Sequence, residues 1–171
     1  VIKWGIHLKT ERISKLGMFL AFAIILSYIE SLIPMPFFVP GMKLGLANLC
    51  IILVLIRYNW KDALLVNILR ILLVSFMFSG LFSALYSMAG AFLSLLIMTL
   101  MRKTKLFNIV SVSIAGGIAH NIGQLVVAGF VFSNMNLIYY GPVLVLSGLI
   151  TGLLIGIMAL EILKRRNYEV D

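Results

Sequence analysis

The sequence predicts an all-α integral membrane protein, a bundle of about six transmembrane helices with its N and C termini cytoplasmic. Three observations predict it: an apolar composition, apolar runs that recur at the length of a bilayer crossing, and basic residues that alternate between loops. Of the 171 residues, 62% are hydrophobic and 12% charged, and the mean hydropathy is +1.11. A soluble domain carries roughly 25% charged residues, so a water-soluble fold is excluded. At this length a single polytopic membrane domain over residues 1–171 is expected, with the transmembrane bundle at about 12–166.

A helix needs about 20 apolar residues to cross the hydrocarbon core, and runs of that kind bounded by charge, Pro, Gly or Asn mark the elements. Val1 to Leu8 carry no clear pattern and stay outside the fold reading. The first segment runs from Ile13 to Ile33 and stops at Pro34-Met35-Pro36, where missing backbone donors oppose helix. It reads as a span and not as a cleaved leader, because no small-residue cleavage site follows it. The second, Leu44 to Ile56, is short, which suggests that it starts within the preceding loop or does not cross fully. The loop Pro36 to Lys43 would then fold back over the bundle. The third runs from Trp60 to Phe78, the fourth from Leu81 to Met101, the fifth from Phe107 to Phe132 and the sixth from Val143 to Leu163.

Basic residues near span ends stay on the cytoplasmic side. Lys3, Lys9, Arg12, Lys15, Arg57, Lys61, Arg102, Lys103, Lys105, Lys164, Arg165 and Arg166 fall in one alternating set of loops, and Lys43 alone in the other. This bias puts both termini inside, in a multi-pass protein of the cell membrane. It also accounts for the net charge of +8 by contact with anionic headgroups, which argues against nucleic-acid binding. Tyr58 and Trp60 at one end, and Tyr139 and Tyr140 at the other, fit interfacial aromatic belts. The single cysteine, Cys50, allows no intrachain disulfide and reads as a small packing residue.

Helices associate in lipid through small residues at four-residue spacing. Gly148, Gly152 and Gly156 form such a seam on the sixth helix, and Ser83, Ser87, Gly90 and Ser94 another on the fourth; both read as intramolecular packing. Gly17 and Ala21 on the first helix suit either packing or the docking of a separate membrane subunit.

Ionisable groups at membrane depth need a partner, a water-filled cavity or a ligand. Glu30 lies near the outer end of the first helix, and Arg70 near the middle of the third, with Asn67 three residues before it on the same face. Glu30 and Arg70 either form a structural ion pair or leave Arg70 as a cationic anchor for a carboxylate, phosphate or polar headgroup. On the fifth helix Gly116, Gly117, His120, Asn121 and Gln124 gather on one face, as interhelical hydrogen-bonding partners, ligand contacts, or a proton relay or metal site. By depth, Asn48, Lys43 and Asn136 can face the same cavity. Glu161 with Lys164 and Arg165 reads as a surface pair.

No phosphate-binding Gly-x-x-x-x-Gly-Lys-Ser/Thr loop is present, so transport by ATP hydrolysis would need partner ATPases. Asp62 and Asp171 are the only aspartates, whereas prenyl transfer from a diphosphate calls for several carboxylates holding magnesium. The chain is therefore not expected to be an enzyme, and no metal or cofactor is expected.

The segments Ser27-Tyr-Ile-Glu-Ser-Leu-Ile-Pro34, Pro40-Gly-Met-Lys-Leu-Gly-Leu-Ala-Asn48, Arg70-Ile-Leu-Leu73 and Gly116-Gly-Ile-Ala-His-Asn-Ile-Gly-Gln124 resemble the Gx transporter family, often labelled heptaprenyl diphosphate synthase component I. The likeness runs from Arg12 to Lys164. That family is similar to the substrate-binding S components of energy-coupling factor (ECF) transporters. The resemblance implies six helices, cytoplasmic termini and a vitamin-sized pocket near the outer face. It also implies that the loop between the first two helices caps the pocket and that a small-residue patch on the first helix meets a membrane T component. Pro36 to Lys43 and the pair Gly17 and Ala21 occupy those places, although S components show alanines where Gly17 stands.

The expected function is a substrate-binding subunit for uptake of a vitamin-like or isoprenoid-, flavin- or quinone-related metabolite. Its site would be drawn from Glu30, Lys43, Asn48, Asn67, Arg70, His120, Asn121 and Gln124. The alternative is a noncatalytic membrane subunit of a flavin/quinone redox or polyprenyl diphosphate synthase assembly. An enzyme built on His120 is a third reading.

Overall fold

The computed structural model describes residues 2–32, 45–131, 133 and 135–167, and among these it is all-helical, with no strand. Helix α1 spans Ile2–Leu32, so helix begins 11 residues before the apolar segment expected from Ile13. Helix α2 (Asn48–Arg57) begins four residues later than expected. Gly45, at φ +87°, and a turn through Ala47 take up the start of that segment. Its 10 residues rise about 15 Å, half of a roughly 30 Å hydrocarbon core, so α2 is too short to cross one.

Every residue from Asn48 to Leu55 in α2 is buried. A short helix that is apolar all round belongs in the middle of a bundle, and here α1, α3 and α6 pack around α2. Ile51, Ile52, Leu53, Val54 and Leu55 join Val66, Leu95, Met98, Val112, Ile155 and Ala159 in the main core.

Helix α3 (Trp60–Val74) passes through a π-helical turn, Ser75–Ser79, straight into α4 (Gly80–Thr104). The chain reverses there, since Leu64 and Ile68 of α3 and Met88 and Phe92 of α4 line one cleft. Helix α5 (Ile109–Val131), a 3-10 turn (Met135–Tyr140) and α6 (Gly141–Asn167) complete the chain. Among the described residues, four helical runs are long and apolar enough to cross a membrane: Thr10–Leu32, Trp60–Thr104, Ile109–Val131 and Leu137–Arg165. Large apolar side chains stay exposed along all four, among them Phe22, Leu72, Phe92, Val126 and Leu154, as in a helical membrane protein whose outer faces meet lipid.

Glycines set the closest approaches. A Cβ on Gly148 would stand 2.7 Å from the Gly117 carbonyl oxygen, one on Gly152 2.7 Å from Ile114 Cα, and one on Gly156 2.8 Å from Val110 Cα. The α6 seam read from the sequence thus packs on α5. Ser83, Ser87, Gly90 and Ser94 of α4 are all buried, and Gly90 lies against α5 in the same way, 2.7 Å from the His120 carbonyl oxygen. Gly17 and Ala21, by contrast, are exposed, and Gly17 has open space around it. Intramolecular packing therefore does not account for the α1 pair.

At the basic end, Arg12 of α1 bonds Asp62 through Nε at 3.1 Å and through its terminal nitrogen. Asn59 caps α3 by accepting the Asp62 N–H at 2.9 Å, and Arg102 donates to the Ile56 carbonyl at 2.6 Å. These bonds fix α1, the α2–α3 turn and the end of α4 to one another. Glu161 pairs with Lys164 at 3.2 Å on the surface, as the sequence indicates.

Candidate functional site

Glu30, Asn48, Asn67, Arg70, His120, Asn121 and Gln124 are all buried, although they come from four helices. Lys43 and the Pro36 to Lys43 loop lie outside the described residues, and the side chain of Asn136 is likewise outside them. Asn67 and Arg70 meet because a spacing of three stacks them on one face of α3, and Asn67 Oδ1 accepts from Arg70 at 2.8 Å. A second guanidinium nitrogen donates to Ser27 Oγ of α1 at 3.4 Å.

Arg70 is 4% exposed, and its hydrogen bonds go to these neutral groups. The ion pairs given for the described residues are Arg12 with Asp62, Glu11 with Lys15 and Glu161 with Lys164, so among these residues Arg70 touches no carboxylate. A buried ion pair between Glu30 and Arg70, one of the alternatives left open by the sequence, is absent as a direct contact. Cys50, read as a packing residue, is buried and packs with Ala23 and Ala47.

Glu30 links this group to a second. Its Oε1 accepts the backbone N–H of Gly45, which draws the start of the α2 turn onto α1. A Cβ at Gly45 would lie 2.9 Å from Asn48 Nδ2 and 3.5 Å from His120 Cδ2, while one at Gly90 would lie 3.0 Å from His120 Cε1. The imidazole is therefore held between two bare backbone positions, one from the α2 turn and one from α4. Gln124 Nε2 is 3.1 Å from His120 Nε2, one helical turn on, and Asn121 Nδ2 donates to the Leu144 carbonyl of α6 at 2.8 Å.

Several of these groups carry unused hydrogen-bonding capacity. Arg70 Nε, Asn48 Oδ1, Asn121 Oδ1 and the hydroxyls of Ser83, Ser87 and Ser94 are buried without a hydrogen-bond partner among the described residues. Each such group costs about 1–3 kcal/mol if nothing meets it, so each favours a ligand, a water or another residue that does. Chemically, the set offers a cationic donor at Arg70, amide oxygens that accept, and hydroxyls that do either. Among the described residues no group of three or more His, Cys, Asp or Glu is placed to hold a metal ion.

Sequence reasoning missed Ser27 and Gly45 as neighbours of the polar residues. Ser27 was accessible in principle, since it precedes Glu30 by three residues and shares its buried face. Gly45 contributes a backbone N–H, which no residue type advertises. The shallow cleft between α3 and α4, lined by Leu64, Asn67, Ile68, Ile71, Met88, Ala91 and Phe92, is apolar apart from Asn67 and sits beside the polar group. It encloses no room even for a water molecule, so it does not by itself form a small-molecule site.

No curated protein and no solved structure matches the chain. The family described as heptaprenyl diphosphate synthase component I matches residues 19–162, which takes in α2 to α5, most of α6, the second half of α1 and the buried polar residues named above. This helical membrane protein belongs to the heptaprenyl diphosphate synthase component I family.

Proposed function

We propose that the chain is the membrane-embedded substrate-binding subunit of an uptake system, similar in role to the S component of an ECF transporter. In this reading it is a multi-pass protein of the cell membrane with six helices and cytoplasmic termini, and it takes up a vitamin-like or isoprenoid-, flavin- or quinone-related metabolite. The observation that carries the reading is Arg70, 4% exposed, whose partners among the described residues are the neutral Ser27 and Asn67 and whose Nε meets none of them. A guanidinium so placed suits a carboxylate or phosphate, to which it can offer two parallel N–H donors. Glu30, Asn48, His120, Asn121 and Gln124 would orient the rest of the molecule, with the Lys43 loop above it. Cytoplasmic ATPases would supply the energy and a membrane T component would dock on the exposed Gly17 and Ala21 face of α1.

The test is to purify the full chain in mild detergent and to identify bound metabolites by mass spectrometry against a mock purification. A small anionic molecule should be enriched. Arg70→Ala should lower its affinity at least about tenfold and Arg70→Lys should restore it partly, the loss of one charge-assisted bond being about 1.5–3 kcal/mol. Circular dichroism would check that both variants fold. Recovery of no metabolite, together with unchanged uptake in cells carrying Arg70→Ala, would overturn the proposal.

The family description favours a second reading, because "component I" names one part of an assembly. The chain would then be a noncatalytic membrane subunit of a polyprenyl diphosphate synthase or a flavin/quinone redox complex. Noncatalytic fits the scarcity of carboxylates: Asp62 is engaged by Arg12 and by the α3 cap. Co-purification separates the readings. ATPase and T subunits favour uptake, whereas a prenyl synthase or a flavoprotein favours the assembly.

A further inference from the structure

From Ile71 to Met101 the chain contains no Asp, Glu, Lys, Arg or His, yet it reverses direction within that stretch. The reversal is made without an irregular loop. Residues 60–104 are helical throughout, the Gly80 N–H is donated to the Ser75 carbonyl, and a single positive φ, +76° at Gly80, turns the backbone. Phe78 is tied to α1 by an edge-on contact with Tyr28, at 5.4 Å between ring centroids. Its neighbours face away from the bundle: Phe76 is 94% and Leu81 77% exposed, and Met77 and Phe82 are exposed as well.

We infer that the α3–α4 turn is immersed in the outer leaflet of the bilayer, against lipid acyl chains, and forms no aqueous loop. Lipid penalises open backbone polar groups, and a turn that stays helical, with the Gly80 N–H bonded to Ser75, leaves fewer of them open than an irregular loop would. The exposed turn residues continue the exposed apolar faces of α3 and α4, including Leu72, Leu73 and Leu85. Length agrees. The 20 residues from Trp60 to Ser79 rise at most about 30 Å, the thickness of the hydrocarbon core, so a chain anchored at Trp60 turns no further out than the far edge of that core. The α5–α6 turn differs, with exposed Ser133, Tyr139 and Tyr140 at its surface.

The inference rests on the proposed membrane topology, and the experiment tests the two separately. Single cysteines are placed at Phe76, Leu81, Tyr139 and Leu106 of the full chain carrying Cys50→Ala. They are then reacted with a membrane-impermeant maleimide, in intact cells and in proteoliposomes. Tyr139→Cys should label in both, and Leu106→Cys in cells only after permeabilisation; labelling of both from outside would overturn the topology alone. Phe76→Cys and Leu81→Cys should react at least about tenfold more slowly than Tyr139→Cys in both settings, and fully in dodecyl sulfate. Rates equal to that of Tyr139→Cys would overturn the inference. So would protection in cells that is lost in proteoliposomes, since a protein partner would then cover the turn.

Discussion

Replacing Gly148 by alanine adds one methyl where α5 and α6 lie closest, and the structure fixes what that methyl meets. Its Cβ would stand 2.7 Å from the Gly117 carbonyl oxygen, 2.8 Å from the Gly117 carbonyl carbon and 2.9 Å from Ile118 Cα. All three are backbone atoms, so no side chain can swing aside. Ordinary contact begins near 3.4 Å, and the helices must part by roughly 0.7 Å along this seam. Overpacking of this kind costs about 1–3 kcal/mol, partly offset by the roughly 0.5–1 kcal/mol that alanine gains over glycine in a helix. The net expectation is a loss of about 1–2 kcal/mol, or about five- to thirtyfold in the folded-to-unfolded ratio. Gly17→Ala is the matched control, because Gly17 has nothing within 4 Å and should show only the gain in propensity. Thermal and dodecyl-sulfate unfolding in detergent micelles, followed by circular dichroism, measures both. The reasoning fails if Gly148→Ala unfolds together with the wild type, or if Gly17→Ala is the less stable of the two.

Gly80→Ala should cost about 1–3 kcal/mol although the site has open space, because φ +76° with ψ 170° is a conformation that alanine avoids; the same unfolding assay reads it. Asn59→Ala removes the α3 cap and one of the two groups that hold Asp62, for a loss of about 1 kcal/mol, whereas Asn59→Ser should recover most of it. Asn121→Ala cuts the bond to the Leu144 carbonyl and should destabilise by roughly 0.6 kcal/mol, the average for interhelical bonds in membranes. A loss above about 2 kcal/mol there would mean that Asn121 holds more than this one bond.

Composition and the spacing of apolar runs determined the helical membrane class, because a chain with so few charges has no other way to satisfy its backbone in lipid. The polar interior was legible for the same reason: Glu30, Asn48, Asn67, Arg70, His120, Asn121 and Gln124 stand out against an apolar background, and each proves buried. Periodicity along a single helix also placed Asn67 beside Arg70 and aligned the α6 glycines.

Which helix meets which was decided only in three dimensions. The short second segment could have lain on the surface; packing made it the centre, since its side chains are apolar all round and can be buried only if other helices surround them. Glu30 and Arg70 looked like natural partners by charge, yet the structure gives Glu30 a backbone N–H of Gly45 and gives Arg70 the neutral Ser27 and Asn67. Sequence determines how much polar and apolar surface a helix carries and on which face. The partner of each face depends on helix rotation and depth, which the glycine contacts between α4, α5 and α6 set, and no local pattern encodes them.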